Sequence, residues 1–470
     1  MASDQRKNNL YIFGIVLAVL TFWLFAQSMI NIIPAMQKDM DISLSTLNIA
    51  TSVTALFSGL FIVVGGGIAD RSGRKRMTYL GLVLSIVGSL LVIISFSSVI
   101  LIIGRAIQGI SAALIMPATL SLIKTAFNET ERQRALSYWS FGSWGGGGIA
   151  TLAGGFIATY LGWKWIFVFS IAVALISMWI LRDIKESKAK TESKEGFDYV
   201  GFGIFVVALI GANLLITQGD SLGWLNPITL IIGGVTALLF IVYYLYEKNR
   251  KIQFIDFNLF KSKAYTGAVA SNFFTNAIAA NIVVANIYVQ VERGFSAFET
   301  GLLTVGNVVA LLIMIRVGER MLQKQGPRRP MVISILVAAI GMSLAAMTFL
   351  PDLPYVIVAF IGFLVAGVGI GMYATPSIDT ALAHIDDDKA GIASGVYKMT
   401  SSLGYSFGLA ISTATYSTIL NITGSQNMAA TYGILTVLIF GAIALLIVNK
   451  TIETEKKILN SKHLGGINHG

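Results

Sequence analysis

Residues 66 to 76 read Gly66-Gly67-Ile68-Ala69-Asp70-Arg71-Ser72-Gly73-Arg74-Lys75-Arg76, four cations, one carboxylate and three glycines between two long apolar stretches. A charged loop this short, with glycine before and within it, fits a tight turn where two apolar helices leave a bilayer on its cytoplasmic side. The rest of the chain is read outward from this turn.

The chain has 470 residues, of which 55% are hydrophobic and 12% charged, with a mean hydropathy of +0.74. Soluble domains carry about 25% charged residues, so the composition belongs to an all-α polytopic membrane protein. Cysteine is absent, which excludes disulfides and thiolate metal sites, and the three histidines (His384, His463, His469) form no cluster of ligands. The first apolar run lacks a small-residue cleavage site and is read as a retained helix. The net charge of +10 sits in short loops rather than on one amphipathic face, so topology explains it and a nucleic-acid partner is not expected.

Cutting the sequence at charges and turns predicts fourteen apolar spans, near 10–34, 45–66, 77–97, 99–122, 136–158, 165–182, 199–218, 226–246, 265–290, 300–318, 330–350, 354–378, 391–419 and 428–449. Each is long enough to cross a hydrocarbon core as helix, which takes about 20 residues. Of the 34 Lys and Arg residues, 28 fall in the two tails and in alternate loops on the side of the N-terminus. Lys38, Lys164 and Arg293 lie on the other side, and Arg105, Arg316 and Lys398 lie within spans. Both termini are therefore expected in the cytoplasm. The acidic loop Ile385-Asp386-Asp387-Asp388-Lys389 departs from this pattern.

The opening motif has a degenerate echo at Gly318-Glu319-Arg320 and Lys324-Gln325-Gly326-Pro327-Arg328-Arg329, about 252 residues on. Arg132 to Ser137 and Lys389 to Ser394 repeat at nearly the same offset. The expected organisation is an N-terminal six-helix bundle over 1–182, a linker with two extra helices over 183–264, a C-terminal six-helix bundle over 265–450 and a polar tail over 451–470.

The 66–76 loop resembles the motif G-x-L-A-D-R-x-G-R-K of the major facilitator superfamily, and Gly104-Arg105-Ala106-Ile107-Gln108-Gly109 in the fourth span resembles that superfamily's G-R-x-x-Q-G. Fourteen spans make the chain similar to the drug:proton antiporter family within it. Phe25 to Ser28, Ser137 to Gly146 and Tyr373 to Ser377 look closest to NorB/NorC-type quinolone efflux pumps of Gram-positive bacteria. The resemblance implies a major facilitator fold, two six-helix pseudo-repeat bundles plus two inserted helices, in a bacterial cytoplasmic membrane. It implies export of small amphiphilic drugs by alternating access, driven by the proton gradient with no bound cofactor, and a monomer is expected. Two departures stand out. Ala150-Thr151 replaces the Gly-Pro of the antiporter motif, and the first span has no carboxylate between Phe25 and Pro34. The alternative of a proton-coupled importer or facilitator of a specific small nutrient therefore stays open. No catalytic constellation supports an enzyme.

Ionisable groups within spans are costly and mark candidate sites. Arg105 is expected to be held by Gln108 one turn on and by facing carbonyls, for proton coupling or for helix clamping. Asp379 and Lys398 are expected at similar depth; burial disfavours the charged carboxylate and a nearby ammonium favours it, so separating them would promote proton uptake. A static pair is the competing reading. Asp70 is expected to accept from the amides that open the thirteenth span near Gly391, forming a conformational latch with Gly66, Arg71, Gly73 and Arg74. For the substrate cavity, Asn272, Asn276, Asn286 and Gln290 share one helical face with Asn281 opposite, and Trp23, Gln27 and Asn31 form a second stripe. Ser402 and Tyr405 add to these, and Trp139 offers a ring for stacking; packing between helices is the competing reading for each.

Overall fold

The computed structural model describes residues 2–453 except 27–28, 41, 43, 148–149, 151–153, 155, 158–159, 190–197, 224–225, 249 and 251–252. Among the described residues there is no strand. The helices are α1 (Ala2–Ala26), α2 (Met29–Met40), α3 (Leu44–Ser72), α4 (Arg74–Ile93), α5 (Ser98–Ala126), α6 (Glu129–Ser140) and α7 (Lys164–Leu181). They continue as α8 (Tyr199–Leu222), α9 (Pro227–Lys248), α10 (Lys263–Val291), α11 (Ala297–Gln325), α12 (Arg328–Ala345), α13 (Asp352–Ala383), α14 (Ala390–Thr423) and α15 (Gln426–Thr451).

Eleven of them, all but α2, α6, α8 and α14, are long and apolar enough to cross a bilayer among the described residues. The three remaining expected spans fall on α6 and its continuation, on α8, and on the more polar α14. The first expected span takes in the end of α1 and the start of α2, with residues 27–28 outside the described residues. After α6 the chain makes a π-helical turn, Phe141–Gly145, which the sequence reading did not anticipate.

The chain forms two compact units, one of Met1–Phe197 with Ile385–Met399, the other of Asp198–His384 with Thr400–Gly470. In the first, α3 and α4 pack against α5, while α1 and α4 pack against α7. In the second, α11 and α12 pack against α13, while α10 and α12 pack against α15. The same scheme is thus built twice, and its contacts repeat in detail. Thr54 Oγ1 donates to the Arg105 carbonyl at 3.0 Å, and Asn307 Nδ2 donates to the Phe363 carbonyl at 2.9 Å. Gly65 lies so close to α5 that a Cβ there would sit 2.2 Å from the Ala113 carbonyl oxygen; Gly318 stands in the same relation to Met372 at 2.3 Å. Each charged turn pivots on a glycine of positive φ, Gly73 at 112° and Gly326 at 69°. Only glycine takes that conformation freely, which is why both turns can be so short.

The inserted helices α8 and α9 pack on each other in the second unit. Phe205 and Phe202 of α8 meet Phe254 in the connector to α10, with ring centroids 5.4 and 5.5 Å apart.

Candidate functional site

The charged turn forms a buried polar cluster in the first unit. Asp70, 3% exposed near the end of α3, accepts from the Gly391 amide with both carboxylate oxygens at 2.8 Å, and from the Ile392 amide at 3.1 Å. These are first-turn amides of α14, where unpaired N–H groups and the helix dipole favour an anion. Arg74, 1% exposed, donates to Asp70 Oδ1 through Nη2 at 2.7 Å and Nε at 3.1 Å, and Nη2 also reaches the Asp387 carbonyl. Glycine makes the approach possible, since a Cβ on Gly66 would lie 2.1 Å from the Gly391 carbonyl oxygen and one on Gly391 as close to that of Gly66. Gly73 frees α4 to start at once, and its opening amides are capped by Glu186, which accepts from Lys75 N at 2.9 Å and Arg76 N at 3.0 Å. Arg71 is exposed beside the turn.

The acidic loop now has an explanation. Lys124 at the end of α5 donates to Asp387 Oδ1 at 3.0 Å and to the Ile385 carbonyl. One carboxylate of the loop that broke the charge pattern, Asp387, is thus a counter-ion to the buried Lys124 of the same unit. Neither Glu186 nor Lys124 was singled out from sequence, because their partners are 110 or more residues away and no local spacing links them.

Arg105 is fully buried in α5. Nη1 donates to the Phe25 carbonyl at 2.7 Å and to Gln108 Oε1 at 2.8 Å, and Nε to the Ala50 carbonyl at 3.3 Å. Gln108 is in turn oriented by Ser89, to which its Nε2 donates at 3.1 Å. Among the described residues the guanidinium has oxygen dipoles around it and no carboxylate, and Nη2 has no hydrogen-bond partner. It joins α1, α3 and α5 through backbone carbonyls.

Lys398 donates to Ser143 Oγ at 3.2 Å and lies 5.3 Å from the centroid of the Trp139 ring. Ser143 sits on the π-turn, whose extra residue turns it out of the regular helical register. Trp139 is fixed by its indole N–H, which donates to Thr119 Oγ1 at 3.0 Å. Trp23 packs on the glycine run of the same stretch, where a Cβ on Gly146 would meet the ring at 2.5 Å, and its Nε1 is buried without a partner. Gln27 and the side chain of Asn31 lie outside the described residues.

In the second unit, Asn276 Nδ2 donates to Asn272 Oδ1 at 3.0 Å, and Asn272 Nδ2 donates to Ser401 Oγ at 2.7 Å. Asn272 and Asn276 are 0% and 5% exposed, so this network is packed between α10 and α14. Close packing there depends on Gly404 and Gly408, whose added Cβ atoms would lie 2.1 Å from the Phe273 carbonyl oxygen and 2.4 Å from the Ala277 Cα. Further along α10, Asn286 Oδ1 is buried without a partner, while Gln290 is exposed at the helix end. Asn281, expected on the opposite face, accepts from Thr436 of α15 at 3.2 Å. Ser402 and Tyr405 are exposed. Asp379 is 4% exposed in α13, three residues past Pro376, and belongs to the second unit whereas Lys398 belongs to the first.

Comparison with known proteins agrees with this architecture. The chain is 48% identical over 422 residues to the quinolone resistance protein NorB of Staphylococcus aureus strain MRSA252, covering 90% of this chain and 91% of that protein. To NorB of strain COL it is 46% identical over 455 residues, covering 95% and 97%. Among solved structures it is similar in fold to the proton:xylose symporter XylE, with a TM-score of 0.66 at 17% identity over 95% of this chain and 97% of that one. The human organic anion transporter MFSD10 has a TM-score of 0.65 at 12% identity, over 94% and 99%. The family model that matches residues 11–409 supplies the conclusion: the chain is a multi-pass membrane protein belonging to the Major Facilitator Superfamily.

Proposed function

We propose that the chain is a proton-coupled multidrug exporter with quinolones among its cargo, working by alternating access in a bacterial cytoplasmic membrane with both termini inside. The observation that carries this reading is the 48% identity to quinolone resistance proteins across 90% of the chain. The polar groups inside its helices suit the task. Arg105, Lys398 and Asp379 are assigned to proton coupling, because a charge held in the membrane interior has a state that responds to a proton nearby. Asn272, Asn276, Asn286 and Gln290 on α10, with Trp23, Gln27, Asn31, Trp139, Ser402 and Tyr405, are assigned to the cavity. Aromatic faces and amide groups together accept amphiphiles of varied shape. Gly66, Asp70, Arg71, Gly73 and Arg74 are assigned to a latch that holds one conformation. The energy source is the proton gradient, with no cofactor, and the working unit is a monomer.

The test is reconstitution of the full chain into liposomes holding a pH gradient. Adding a zwitterionic quinolone should dissipate the gradient as drug and protons exchange. A gradient untouched by quinolones and by other amphiphilic drugs, but collapsed by a small nutrient moving with the proton, would replace export by uptake.

A further inference from the structure

Three cations fall inside the expected spans, and the structure meets each one differently. Arg316 pairs with Glu319 on the next turn of α11. Arg105 is surrounded by the Phe25 and Ala50 carbonyls and the Gln108 amide oxygen. Lys398 of α14 has less than either. Its partners among the described residues are the Ser143 hydroxyl, at 3.2 Å, and the face of the Trp139 ring, 5.3 Å from the ammonium, and it makes no ion pair there. An ammonium carries three N–H donors, so one hydroxyl leaves donors to spare, and an intramembrane cation short of negative charge is costly.

The frame around this lysine is rigid on both sides. Glycines seat the start of α14 on α3, where a Cβ on Gly395 would lie 2.8 Å from the Ile62 carbonyl oxygen. Lys398 follows within a turn, eight residues into α14 and so about 12 Å from its start. Facing it, the π-turn that carries Ser143 is packed on α1: a Cβ on Gly142 would lie 3.3 Å from Val16 Cγ1, and one on Gly146 would lie 2.5 Å from the Trp23 ring. Such π-turns concentrate at functional sites. Trp139 and Ser143 are 1% and 3% exposed, whereas Lys398 is partly exposed. The ring and the hydroxyl are therefore closed off behind the ammonium, and the lysine is the member of the trio open to a ligand.

A preorganised, partly exposed ammonium with donors to spare fits an oxyanion. The efflux reading supplies one, since quinolones carry a carboxylate on a planar aromatic frame. We infer that Lys398 is the residue that selects carboxylate-bearing amphiphiles: its ammonium takes the carboxylate of the cargo as its counter-ion, and Ser143 and Trp139 position it to do so. The inference rests on the efflux reading and names the class of cargo, aromatic carboxylates in preference to lipophilic cations that lack the acid. The charge assigned to proton coupling thereby gains a second task, which is recognition. A lysine suits cargo of varied shape, because a compact point charge on a flexible stem accepts a carboxylate from several directions. Desolvated by its surroundings, the contact is a charge-assisted hydrogen bond of the stronger kind.

The test measures binding, so that coupling to protons does not enter. Norfloxacin and its methyl ester, which differ at the carboxylate, are titrated by equilibrium dialysis against the detergent-solubilised full chain in gluconate buffer. The wild type should bind the acid about tenfold or more tightly than the ester, the range of a charge-assisted hydrogen bond. Lys398→Gln should bring the two affinities together, and Lys398→Arg, which keeps a cation, should restore a preference for the acid. Ser143→Ala should narrow the ratio by weakening the acid alone, which a loss of general packing would not do. An acid-to-ester ratio unchanged by Lys398→Gln would overturn the inference. So would a preference that chloride erases, which would mean a small inorganic anion on the ammonium. Should Lys398→Gln fail to accumulate, the wild type decides by itself: equal affinity for acid and ester overturns the inference and leaves the efflux reading standing, whereas binding of neither compound brings down both.

Discussion

Replacing Asp70 with asparagine keeps the size of the side chain and removes its charge. In the wild type the carboxylate takes amide bonds from Gly391 and Ile392 and two contacts from Arg74. Asparagine offers one acceptor oxygen, and its NH2 group is brought against an N–H donor. Hydrogen bonds to a charged group contribute about 1.5–3 kcal/mol each, and breaking a buried ion pair by removing one partner costs about 3–5 kcal/mol. Arg74 keeps the Asp387 carbonyl as a neutral partner, so the lower end, about 3 kcal/mol, is the working figure for the Asp70→Asn loss. At 1.4 kcal/mol per tenfold change, local opening of the 385–399 segment should rise about 100-fold. The chain contains no cysteine, so one introduced thiol reports without background. Ser394 is fully buried in that segment and Ser394→Cys is nearly isosteric. Maleimide labelling of Ser394→Cys in membranes should be slow alone and about 100-fold faster with Asp70→Asn, within what opening equilibria allow. Gly66→Ala, which drives a Cβ into the Gly391 backbone, should accelerate labelling in the same way. A change of less than about twofold for Asp70→Asn would refute the reasoning, because a 3 kcal/mol contact cannot be lost without opening the segment it holds.

Arg105→Lys keeps the charge but cannot reach the Phe25, Ala50 and Gln108 oxygens together; drug-driven proton movement in liposomes should fall by tenfold or more on the order of 1.4 kcal/mol per decade. Asn276→Leu removes the donor to Asn272 and should change the relative export rates of a panel of amphiphiles, read in everted vesicles, more than it changes the melting temperature. Arg293 donates to the Thr348 and Leu350 carbonyls at 2.8 and 2.7 Å, pairs with Asp352 and lies over the Tyr288 and Tyr355 rings. Arg293→Ala should therefore destabilise the purified protein by about 2–3 kcal/mol, seen as a lower melting temperature, with the drug spectrum unchanged.

Much of the fold was legible because its signals are local. Spans follow from hydropathy, the turn at Gly73 from composition, and the duplication from a second charged turn 253 residues later at Gly326. The Gln108 clamp on Arg105 was legible because three residues of helix separate them. The amides near Gly391 were legible as partners of Asp70 because a helix start has donors to offer. The Lys124 contact with the acidic loop and the Glu186 cap on α4 were not legible, since nothing near either residue specifies a partner across the chain. The π-turn at Phe141–Gly145 also escaped notice: one additional residue in a helix leaves the apolar pattern almost unchanged, while it moves Ser143 into reach of Lys398. On α10, helical periodicity separated Asn272 and Asn276 from Asn281, but it could not say that the first two would spend their hydrogen bonds on each other and on Ser401.

The bond between Asp70 and Gly391 closes a loop of 321 residues, and that length has a consequence for synthesis. A ribosome adding about 5–20 residues per second needs roughly 16–64 s to pass from the first partner to the second. For that interval the first unit exists as helices α1 to α7 with Asp70, Arg74 and Lys124 in place but without the segment that satisfies them. Nascent chains caught at that stage should hold their charged turn open to water, and the first unit becomes complete only once residues 385–399 have been made.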